Sequence, residues 1–170
     1  MKKVLFEETQ SNTLLVIMAV VAALFFSILC MVQIGFNKPF GNHPAPDWVL
    51  ILFAVASIAA AIFFNYQKLK LLITEDEIHV SFGLLTGKTL IRITDIKSIS
   101  IRQYDAFDEF LGWGIRYNAT TSCFTVSGNK AIEVEMTDNR KILIGTQKAT
   151  IAKPIIEQLS SRLIKEHSHL

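Results

Sequence analysis

The chain has 170 residues, 51% hydrophobic and 19% charged, with a formal net charge of +2. Ordinary soluble domains carry charge nearer about a quarter; here the apolar excess lies before Tyr66, while the charge lies at the N-terminal tip and after Gln67. A small net charge without a clustered basic face argues against a nucleic-acid partner, and two cysteines in different regimes, Cys30 and Cys123, argue against a disulfide framework.

Residues 1–12 are read as an N-terminal tip, and the span after it, 13–36, carries no formal charge. A helix rising about 1.5 Å per residue needs roughly 20 apolar residues to cross a hydrocarbon core of about 30 Å. Residues 13–36 meet that length, and so do 48–66, which Trp48 and Tyr66 bracket as interfacial aromatics do. The small residues at 56–61 would let a partner helix approach closely. Between the spans, residues 37–47 hold three prolines that no helix continues through. The apolar run at 13–36 is longer than a signal-peptide core, and no clean small-x-small cleavage site follows it before Lys38. Lys2 and Lys3 before the first span and Lys68 and Lys70 after the second outnumber Lys38 between them. The positive-inside bias then predicts a multi-pass protein of the inner (plasma) membrane with both termini cytoplasmic.

From residue 67 to 170 the hydrophobic period changes to two, predicting a mainly-β cytoplasmic domain. Alternating runs occur at 69–73, 78–82, 89–93, 99–102, 114–118, 122–126, 131–136 and 142–144, with a connection through Leu84-Leu85-Thr86-Gly87-Lys88. Face parity favours a three-residue Asp138-Asn139-Arg140 loop with a bulge, setting Met136 opposite Ile142. A closing amphipathic helix follows, with Ile151, Ile155, Leu159 and Leu163 as its stripe, Thr150 as N-cap and Pro154 in the first turn.

Three segments carry a likeness: Gly112-Trp113-Gly114-Ile115-Arg116, Val126 through Val134 around Ser127-Gly128, and Ile144-Gly145-Thr146-Gln147 before the last helix. Over residues 69 to about 163 their order resembles the bacterial pleckstrin-homology-like domains found in small membrane proteins. The chain departs from that pattern at the helix entrance, where Ala149 stands in place of a proline. The resemblance implies a bent antiparallel sheet of about seven strands capped by one helix, membrane-tethered interaction roles and no catalytic residues.

No nucleophile elbow, phosphate loop or dinucleotide fingerprint is present, and His43, His79, His167 and His169 lack metal-site spacing. Asp105, Asp108 and Glu109 lack the glycine and alternating ligands of a calcium loop. No enzyme, cofactor or metal is therefore expected. Trp113 and Arg116 have two readings: a grip on a peptide or anionic headgroup, or a plug at the sheet's end with the guanidinium on loop carbonyls. Gly112 and Gly114 would permit the backbone of that corner. The expected role is a membrane-anchored module that binds protein partners or its own kind. The alternative is a membrane-surface sensor reading anionic lipid through Lys68, Lys70 and the sheet's loops.

Overall fold

The structure is a computed structural model and describes residues 3–39, 41–83, 87–118 and 120–167. Lys2, the Leu84-Leu85-Thr86 part of the connection and His169 lie outside the described residues. The chain divides into two units: residues 12–67, and the remainder from both sides of that insertion.

The inserted unit is a helical hairpin. Helix α1 (Thr13–Cys30) starts at Asn12, whose side chain accepts the Leu15 N–H at 3.1 Å, and continues through a π-helical turn, Met31–Gly35. Helix α2 (Asp47–Tyr66) follows. Gln33 closes the connection by donating to Ala45 O and Asp47 Oδ1, each at 2.7 Å. The helices meet at Ala19, Leu50 and Ala54, with Phe26 stacked on Phe53 at 5.1 Å. The close approach thus includes Ala54, just before the small-residue stretch. Elsewhere Leu14, Val21, Leu24, Ile28, Leu52 and Ile62 are exposed. At 23 and 20 residues, both helical segments are long and apolar enough to cross a membrane.

The other unit is mainly β. All eight alternating runs are strands: β2 (Lys68–Thr74), β3 (Glu77–Phe82), β4 (Thr89–Arg92), β5 (Ile96–Gln103), β6 (Gly114–Tyr117), β7 (Thr121–Thr125), β8 (Lys130–Met136) and β9 (Lys141–Gly145). A ninth, β1 (Val4–Ser11), corrects the reading of residues 1–12 as a tip. It pairs antiparallel with β2, and its last rung sets Ser11 opposite Lys68. Its alternation is masked in the sequence because two of its buried residues are polar: Phe6, Glu8 and Gln10 point inward.

Among the described residues the nine strands form two sheets, β1-β2-β3-β4 and β5-β8-β9-β7-β6. This differs from a single antiparallel sheet of about seven strands. β1 adds one strand to the eight alternating runs, and β7 lies on the far side of β9 from β8, which makes the β7–β9 pair parallel. The main core joins both sheets to helix α4 (Ala149–His167) through Leu69, Leu71, Ile78, Val80, Ile132 and Val134 against Ala152, Ile156, Leu159 and Leu163. A second cluster, Tyr104, Ala106, Phe110, Cys123, Ala131 and Leu143, lies on the opposite face of the second sheet under helix α3 (Ala106–Phe110).

Two local expectations need correction. The β8–β9 loop has three residues but begins one position earlier: Glu135 faces Lys141, and the Met136 N–H donates to Arg140 O at 2.8 Å. Asn139, at φ 64°, takes the left-handed position, and the Asn139 N–H donates to Met136 O at 3.0 Å. The two-residue change in register keeps Ile132, Val134 and Met136 on the core face. Helix α4 starts at Ala149, with the Lys148 carbonyl accepting from Ala152 N, so Thr150 is inside the helix and Pro154 follows the first turn. Proline there removes one helical N–H, the one that would reach Thr150 O. The buried stripe turns accordingly and Ile151 is 60% exposed.

Candidate functional site

The site begins with the junction that aims α4. Glu8 and Gln10 on β1 are almost fully buried. Glu8 accepts from the Thr146 hydroxyl at 2.7 Å and from the Gln147 N–H at 2.9 Å, and Gln10 Nε2 donates to Gly145 O at 2.7 Å. Gln147 Nε2 donates to Ser127 Oγ at 2.6 Å, so two of the three segments that carry the resemblance meet here. Gly145 packs closely: an added Cβ would lie 3.3 Å from both Cα and Cγ2 of Thr125, tighter than ordinary van der Waals contact. A buried carboxylate needs hydrogen-bond donors, and the β9–α4 turn supplies them.

Strand β5 forms the facing wall. It is an edge strand, with β8 on one side and no strand on the other among the described residues. The Tyr104 N–H donates to Asn129 O at 2.9 Å, continuing the β5–β8 register. Main-chain groups of an antiparallel strand alternate sides, so Ser98, Ser100 and Arg102 turn theirs to β8. Ile99, Ile101 and the Gln103 N–H face the open side. Ion pairs hold β5 in place on the opposite face: Lys97 with Glu135 at 2.9 Å, and Arg102 with Glu133 at 2.8 Å and Glu109 at 2.9 Å. The Arg102 hydrogen bond holds Glu109 below the usual carboxylate range. Asp105 caps α3 by accepting from the N–H groups of Phe107 and Asp108, which lowers its own pKa.

Between the open side of β5 and α4 runs a groove made of two adjoining hollows of about 300 and 340 Å³. Ile101 and Lys153 line both. Lys130 and Thr150 lie at one end; Glu157, Ser160 and Ser161 lie at the other. Sequence reading identified the helix and the strand but not the groove, because an edge becomes visible only once sheet order is known.

The sequence-selected residues lie elsewhere. Trp113 follows α3, donates its indole N–H to Gly128 O at 3.1 Å and meets Phe107 edge to face at 5.2 Å. Arg116 on β6 donates to Ile115 O at 3.1 Å. Their corner runs through Leu111 at φ 58°, Gly112 at φ 115° and Gly114 at φ 124°, the last two in a region that essentially only glycine enters. Lys68 and Lys70 are exposed on β2, and Lys70 lines a small hollow of about 180 Å³ with Glu7, His79 and Lys88. Comparison with models of known protein families and with curated proteins gives no match.

Proposed function

We propose that this chain is a membrane-anchored, non-enzymatic interaction module whose pleckstrin-homology-like domain binds a protein partner at the groove between β5 and α4. One observation carries the reading: an edge strand with outward main-chain groups borders a groove walled by a helix. Exposed strand edges are templates for pairing with another chain. The exposed apolar surface of α1 and α2 supports a bilayer as their surroundings. The Ser11–Lys68 pair favours both termini on one side of it, and the lysine bias favours the cytoplasm. Cross-linking of native membranes followed by mass spectrometry tests the reading. Adducts joining Lys130 or Lys153 to another polypeptide are expected, and recovery of the chain only as an unlinked monomer would count against it.

A second reading, capture of anionic lipid headgroups, draws on Lys70, His79 and Lys88 around one hollow, with Lys68 on the same strand face. Glu7 in the same lining opposes it. Vesicles with and without phosphatidylserine, presented to the full-length protein in detergent across a salt series, separate the readings. Binding indifferent to both lipid charge and salt removes the lipid reading.

A further inference from the structure

Resting on the groove reading above, the geometry points to one class of occupant: an extended segment of a partner protein that adds to β5 as a sixth strand of the second sheet and carries an acidic side chain at one end. Ile99 and Ile101 each offer an N–H and a C=O to the open side, and Gln103 adds an N–H, a spacing that matches alternate residues of an incoming strand. The Gln103 carbonyl is already met by Arg102 Nη1 at 3.3 Å, so pairing weakens beyond it.

Charge sets the character of the occupant. Arg102 is neutralised by Glu109 and Glu133, which leaves Lys130 and Lys153 as the cations at the Gln103 end. Lys153 makes a loose contact with Glu157, at 3.9 Å, and both side chains are largely exposed. The far end offers Ser160, Ser161 and Glu157. A carboxylate near Lys130 and Lys153 is favoured there, and one beside Glu157 is repelled. A peptide helix fits less well, because it would leave the β5 main-chain groups unpaired.

The test pans a phage-displayed library of random dodecapeptides against the full-length protein in lipid nanodiscs. Enriched peptides are then measured by fluorescence anisotropy against three proteins: the parent, Gln103→Pro, and Lys130→Glu combined with Lys153→Glu. Gln103 is exposed, and its proline removes an edge donor that the fold does not use. The expected peptides alternate apolar and polar residues with Asp or Glu toward one end. They bind at least tenfold more weakly to each variant, while circular dichroism of the variants is unchanged. Three results overturn the inference: no enrichment over empty nanodiscs, enriched peptides that bind all three proteins equally, or a parent dimer that Gln103→Pro turns into monomer, which would make a second copy the occupant. The first two leave the interaction reading standing if native-membrane cross-links to Lys130 or Lys153 persist.

Discussion

Ser11 and Lys68 face each other across the β1–β2 ladder, although 56 residues of helical hairpin, 12–67, separate them in the chain. The hairpin is thus an insertion between two neighbouring antiparallel strands, leaving the sheet at Ser11 and returning at Lys68. If both helices cross a bilayer, as proposed, the N-terminus and the C-terminal helix lie on the same side of it. Protease protection of tags at the two ends in sealed membrane vesicles is expected to give the same pattern for both; opposite patterns would contradict the insertion.

Glu8→Ala removes the acceptor for the Thr146 hydroxyl and the Gln147 N–H and leaves those donors short of a partner. Donors left unsatisfied in a buried site cost about 1–3 kcal/mol. Thermal melts in detergent should show that loss, with Glu8→Gln losing less because one carbonyl oxygen remains. An unchanged melting temperature for Glu8→Ala would show that the junction is not held by this carboxylate.

At the α3–β6 corner, Gly114→Ala forces a Cβ into a φ of 124°. Strained backbone of this kind costs about 1–3 kcal/mol. Its destabilisation should exceed that of Gly87→Ala, where an added Cβ meets nothing within 4 Å. Equal melting temperatures for the two would remove the conformational argument for glycine at that corner.

Under α3, burial pushes the Cys123 thiol up to about 11 and the Tyr104 hydroxyl up to about 12. An unfolded thiol ionises near 9, so between that value and about 11 the folded chain holds more protons than the unfolded one. Stability therefore falls as pH rises through this window, and the Tyr104 contribution extends the fall toward about 12. In a Cys30→Ser background, Ellman's reagent should leave Cys123 unmodified at pH 8 until denaturant is added. Rapid native labelling would show that the thiol is not buried.

Legibility followed run length for the helices and periodicity for the strands. The helical hairpin was readable because two apolar runs of spanning length carry no charge at 13–36 and 48–66, and the eight strands because their apolar residues repeat every second position. β1 was hidden because Glu8 and Gln10 occupy core positions, which inverts the polar and apolar alternation. The Thr137-Asp138-Asn139 loop was displaced by one residue because face parity cannot distinguish registers two apart. Leu143 and Cys123 read as ordinary strand residues, and their burial on the outer face depends on α3 folding over them. The groove depends on which strand ends the sheet, a long-range fact that no window of sequence contains.

The most direct measurement places a photocrosslinking amino acid at Thr150 or Ser161 on the α4 wall, or at exposed Thr94 away from the groove, in cells that keep the protein in its own membrane. Irradiation should join the two groove positions, and not Thr94, to a second polypeptide, and Gln103→Pro should abolish those adducts. Equal labelling from all three positions, or groove adducts that survive Gln103→Pro, would contradict partner binding at β5 and α4.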